Sequence, residues 1–149
     1  MSIRLVSIMF RCSIFALLFM SLYLSSAFAA STAFSFPLSI VRVDIKTEST
    51  PFTGIQSGTL LHLVSEVNNT SDQTVNLTYI TQIMDQEGYA ISISFDKHSL
   101  APNEKNTALS HTWTPEYPGN YTLEVFFVSD IFNNPAILSE RQSIQLLVV

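Results

Sequence analysis

An all-β sandwich of about seven antiparallel strands is the fold that the sequence predicts, and three observations predict it. Apolar and polar residues alternate with a period of two along most of the chain, as strands with one buried face require. Clusters of Pro, Gly, Asn and Asp interrupt these runs at roughly the spacing of sandwich turns. No segment sustains helical periodicity. The strongest stretch runs from His111 to Phe127, HTWTPEYPGNYTLEVFF. Trp113 closes one alternating run, and Pro115, Pro118, Gly119 and Asn120 make a corner. Tyr121, Leu123, Val125 and Phe127 then share one face, with Thr122 and Glu124 on the other. Greek-key sandwiches of the immunoglobulin type place a tyrosine at such a corner and bond its hydroxyl back to the corner backbone. The expected architecture is therefore an immunoglobulin-like antiparallel β-sandwich with Greek-key connections and no disulfide.

Residues 1–29 are a different material. Arg4 and Arg11 are their only charges, an apolar run extends from Ile14 to Leu24, and Ala27-Phe28-Ala29 has the small-x-small form of a cleavage site. This predicts a secretory signal peptide. The strongly apolar part is about 12 residues, against the roughly 20 that a span needs, so no membrane span is expected after cleavage. Residues 30–37 form a lead-in, and residues 38–149 the sandwich domain.

The strands follow in order. The first is Leu38 to Lys46, and the loop Thr47 to Gly58 carries Pro51 and two glycines. The second strand, Thr59 to Val67, sets Leu61, Leu63, Ser65 and Val67 on one face. Asn68 to Gln73 reads as a polar turn. The third, Val75 to Asp85, sends Tyr79, Thr81 and Ile83 inward, and Gln86-Glu87-Gly88 makes a tight turn. The fourth, Tyr89 to Phe95, is expected to bury Ile91, Ile93 and Phe95. The fifth is Asn106 to Trp113, the sixth Asn120 to Ser129 and the seventh about Ser139 to Val149.

Charge and cysteine content exclude several function classes. Without Arg4 and Arg11, five basic residues face twelve acidic ones, a net charge near −7. Nucleic-acid binding needs clustered Lys and Arg, and no cluster exists. The single cysteine, Cys12, lies in the leader, so the domain must be held by packing alone. About 120 residues suffice for that.

Candidate sites are weighed against ordinary structural roles. His62, His98 and His111 are not spaced as a metal motif, and parity puts His62 outward and His111 inward, so they do not share one metal. Asp85-Gln86-Glu87 and the loop from Asp130 to Asn134 are oxygen-rich, but such residues are also ordinary turn formers. There is no Gly-x-Ser-x-Gly elbow, and no catalytic residue, cofactor or metal ligand is assigned. Four sequons, at Asn68, Asn69, Asn76 and Asn120, are N-glycosylation candidates in a secreted chain. On the outward faces of strands three and six, Ile80, Met84, Phe126 and Val128 are expected to form one exposed apolar patch, which can mark a partner surface.

The ordered set Val67-Asn68-Asn69, Gln82 to Gly88, Leu100-Ala101-Pro102, Trp113-Thr114-Pro115, Pro118 to Thr122 and Asn134 to Ser139 resembles small secreted immunoglobulin-like proteins of archaea. More broadly it resembles CARDB-type, adhesion-related domains of prokaryotic surface proteins. The resemblance covers roughly Thr59 to Val149 and rests on turn and core positions. It implies an extracellular or surface-attached module and no catalytic residue. The expected function is a non-catalytic binding or adhesion module that works through a protein partner or self-association. Two alternatives stand beside it: an accessory metal- or ligand-binding domain serving a surface enzyme, and a protease-inhibitor-type sandwich using the loop Thr47 to Gly58.

Overall fold

The computed structural model describes residues 35–47 and 54–149. The expected signal peptide, residues 30–34 of the lead-in and residues 48–53 of the first loop lie outside them. The compact unit Phe36–Val149 is built from β1 (Leu38–Thr47), β2 (Leu61–Asn69), β3 (Val75–Met84), β4 (Ala90–Leu100), β5 (Thr107–Trp113), β6 (Gly119–Val128) and β7 (Gln142–Val148). The sheets are β1-β2-β5 and β4-β3-β6-β7, and every strand pairing is antiparallel. The chain crosses between sheets after β2, β4 and β5, which is what Greek-key connection requires.

The core lies between the sheets. From the three-stranded sheet Leu61, Leu63, Val67 and Leu109 point in; from the other, Leu77, Tyr79, Ile83, Leu123, Val125, Phe127, Leu146 and Val148. Alternation on β2, β3 and β6 falls as the sequence predicts, with Ser65 and Thr81 buried on the inner side. Burying one such large apolar side chain is worth about 1.5–3 kcal/mol, so the domain needs no disulfide.

Strand β4 departs from expectation. It is longer, running to Leu100, and its register sets Ile93 beside Gln82 and Phe95 beside Ile80, both outward positions of β3. Ile91, Ile93 and Phe95 therefore face solvent, 50%, 59% and 47% exposed. The inner positions are Ser92, Ser94, Asp96 and His98. The three-stranded sheet is one strand narrower, so the inner side of β4 borders an open cleft toward β5 instead of dry core, and polar residues are stable there.

Two irregular segments complete the ends of the sandwich. Ile55 is buried and forms a parallel bridge to Val148; Val149 N–H donates to the Ile55 carbonyl, and Ser57 N–H to that of Val149. The described part of the first loop is thus docked against β7. Leu138 N–H donates to Phe127 O, and Ile137 bridges Val128, closing the far end of β6. The turn before β4 has Gly88 at φ +86°, a conformation that glycine adopts without strain.

Candidate functional site

Three features could carry function: a polar network between the sheets, the outer face of the four-stranded sheet, and a pocket at the β5–β6 corner.

The network starts in the core. Tyr79 and Ser65 share a hydrogen bond of 2.9 Å between hydroxyls, and burial pushes the Tyr79 phenol above its ordinary value. The Tyr79 ring stacks on His111 at 4.5 Å. His111 reaches Thr81 Oγ1 through Nδ1 at 2.8 Å and Asp96 Oδ2 through Nε2 at 3.1 Å. A carboxylate only accepts, so Nε2–H donates to Asp96 and the Thr81 hydroxyl donates to Nδ1, which is a neutral ring. Desolvation, the largest cause, lowers the His111 pKa; Asp96 opposes it and His98 adds to it. The chain of hydroxyl, imidazole and carboxylate has the members of a hydrolytic triad but the reverse environment. Thr81 is buried, while the Asp96 side chain is 63% exposed. A nucleophile needs access and its orienting carboxylate needs shelter. The network ties β5 to β3 and β4, and a cleft of about 480 Å³ beside it is lined by Ser94, Asp96, Ser110 and His111.

His62 separates from His111 as parity implies, while His98, on the inner side of β4, lies near enough to His111 to lower its pKa. His62 pairs with Thr112 on the outer side of the three-stranded sheet, and His111 sits on its inner side. No group of three or more His, Cys, Asp or Glu that could hold a metal occurs among the described residues. The oxygen-rich turns use their carboxylates on local backbone and side chains, and Asp130 pairs also with Lys97 of β4 at 3.5 Å. Asp85 accepts from the N–H groups of Glu87 and Tyr89. Asp130 accepts from Phe132 N–H and from the Asn133 amide, and the Phe132 bond is the main cause of its lowered pKa.

On the outer face, the four residues expected as an exposed patch lie where parity puts them but do not form one. Ile80 is 8% and Val128 7% exposed, whereas Met84 and Phe126 are half-buried. Phe95 and Phe126 flank Ile80 in register and cover it, and the chain returning at Ile137 meets Val128. The solvent-facing apolar stripe is one strand over, at Ile91, Ile93 and Phe95, extended by Phe132, whose ring meets Phe95 edge-on at 6.3 Å. Cations rim it: Lys97 lies 5.8 Å from the Phe132 ring, and Arg141 5.1 Å from that of Phe126.

The sequons also separate. Asn76 and Asn120 are exposed and Asn68 is half-buried. Asn69 is 1% exposed, so its amide is not available for modification. Its Nδ2 donates to the carbonyls of Gln73 and Ala101, each at 2.8 Å, and of Leu100 at 3.3 Å. Its Oδ1 accepts from Ser71 N–H and Oγ–H. A side chain read as part of a polar turn is a buried clamp between the β2–β3 turn and the end of β4.

At the β5–β6 corner, Tyr121 Oη donates to the Tyr117 carbonyl at 2.9 Å, the tyrosine corner that the sequence predicts. Trp113 meets the Tyr121 ring at 5.1 Å and 70°. Together with Asp85, Ile91, Glu116 and Tyr117 they line a pocket of about 470 Å³.

No protein-family model matches the sequence, and no curated protein does. Solved structures do match in fold. The chain is an immunoglobulin-like all-β sandwich similar to the C-terminal domain of wzt, with TM-score 0.66, 12% identity and coverage of 77% of this chain and 75% of that one. It is also similar to a CARDB domain from Pyrococcus furiosus, solved in complex with di-metal ions, with TM-score 0.51, 23% identity and coverage of 78% and 91%. A Bacteroides uniformis beta-glucuronidase matches with TM-score 0.55 and 18% identity over 70% of this chain but 13% of its own, so the likeness there is to a single domain of a larger enzyme.

Proposed function

We propose that this protein is a non-catalytic binding module, exported from the cell, that associates with a second copy of itself through the free edge and outer face of β4. The exposed apolar stripe on that strand carries the reading. Strand β4 is an 11-residue edge, and an unpaired edge with apolar side chains is a template for strand addition. Its sequence is self-complementary. Two copies paired antiparallel about Ser94 set Ile93 opposite Phe95, and Ile91 opposite Lys97, whose methylene stem covers apolar surface. On the inner side Ser92 meets Asp96, so no like charges face each other. The result is a two-fold, isologous eight-stranded sheet. Support for export comes from the basic, apolar and small-residue order of residues 1–29.

Light scattering after size exclusion tests the association. The expected result is a mass of two chains for the parent and one for Ile93→Lys, with cooperative unfolding retained because Ile93 already faces water in the single chain, and a midpoint that rises with concentration in the parent alone. A parent that stays monomeric at high micromolar concentration, or a variant that remains dimeric, overturns the reading. Export is tested by the intact mass of protein recovered outside the cell, which should begin near Ala30.

A further inference from the structure

We propose that the pocket at the β5–β6 corner binds a small organic cation, an alkyl- or quaternary ammonium group. Three aromatic residues line it: Trp113, half-buried, Tyr121, buried and packed edge-on against Trp113 at 5.1 Å, and Tyr117, 69% exposed at the mouth. The exposed part of Trp113 and the Tyr117 ring are the aromatic surfaces a ligand could reach. An ammonium is attracted to such ring faces by their quadrupoles.

The charges agree. Asp85 and Glu116 both line the pocket, and no Lys or Arg does. Asp85 commits Oδ1 to Glu87 and Tyr89 N–H groups. Among the described residues neither its Oδ2 nor the Glu116 carboxylate has a hydrogen-bond partner. A cation entering here gains two carboxylates and releases no existing ion pair.

The fold builds the site rigidly. The tyrosine corner holds the Tyr117 backbone from below, through the bond from Tyr121 Oη to the Tyr117 carbonyl. Asp85 is fixed by its turn. The exposed Tyr117 ring and Glu116 stand at the rim, above the part of the wall that these bonds hold. The site shares only Ile91 and Ser92, at the end of the stripe, with the β4 association, and its test touches neither Ile93 nor Phe95.

Trp113 is the only tryptophan in the chain and lines the pocket, so its emission reports occupancy. The protein is titrated with choline chloride at constant ionic strength, and in parallel with 3,3-dimethyl-1-butanol, the neutral isostere of choline. The expected result is a saturable change with choline and none with the isostere. Tyr117→Ala and Glu116→Gln should each raise the half-saturation concentration by about fivefold, with unfolding midpoints unchanged because both side chains are exposed. No saturation by concentrations on the order of 100 mM, a weak limit of about 1.4 kcal/mol, overturns the proposal. So does an equal response to the isostere or to a neutral sugar such as maltose, which would make the pocket an apolar or saccharide site. Unchanged affinity in both variants would place the cation elsewhere.

Discussion

Replacing Asn69 by Ala tests how the ends of the sandwich are held. The side chain is buried and makes two acceptor contacts and three donor contacts. Two N–H groups shared among three carbonyls amount to about two net donor bonds, so roughly four bonds are lost at about 1 kcal/mol each. Freeing the side chain from its ordered state returns less than about 1 kcal/mol. The expected loss is therefore about 3–4 kcal/mol, a large share of the roughly 5–15 kcal/mol that holds a domain folded. Urea unfolding of parent and variant should show a lower midpoint at the same slope, and the melting temperature should fall by roughly 10 °C or more. Asn69→Asp is the sharper variant. It keeps the acceptor toward Ser71 but faces three carbonyl oxygens with a negative charge, so it should be at least as destabilised at neutral pH. It should regain part of the loss when acid protonates it and restores a donor. A change under about 0.5 kcal/mol for Asn69→Ala, or an Asp variant insensitive to pH, would refute the clamp.

Three further outcomes follow from the same geometry. Tyr121→Phe removes the bond to the Tyr117 carbonyl and nothing else, so chemical denaturation should show a loss of about 1 kcal/mol. His111 favours its neutral form in the folded state, so between its lowered folded pKa and the unfolded value near 6.5 the unfolded chain binds more protons; its stabilising contribution is full above about pH 6.5 and is lost as pH falls through the folded value, and His111→Asn should remove that slope from a pH series of unfolding midpoints. Expressed in a glycosylating host, the protein should carry glycans at Asn76 or Asn120 and none at Asn69, as read by peptide mass spectrometry after enzymatic deglycosylation.

Much of the fold is determined by local pattern. On β2, β3 and β6, period-two alternation decides which residues face the core, because both neighbours and the facing sheet are present; which outward residues are covered as well, such as Ile80 and Val128, it does not decide. The tyrosine corner is equally local: four residues separate donor from acceptor, and the turn residues between them fix the geometry.

What the tertiary structure decided lies at the edges. The face of β4 depends on whether a strand lies opposite it, which no property of β4 records. Three apolar residues alternating with serines imply an inward apolar face, but the narrower facing sheet leaves that side open, and registration with Ile80 and Gln82 turns the apolar side outward. The same register covers Ile80 and moves the exposed stripe to Ile91, Ile93 and Phe95. Asn69 was hidden for a related reason: its partners at Leu100 and Ala101 lie more than thirty residues away, and only the closed sandwich brings them to it. Short-range pattern can specify a strand and its alternation. Which side meets solvent, and which polar side chain is a clamp, depends on contacts between segments distant in the chain.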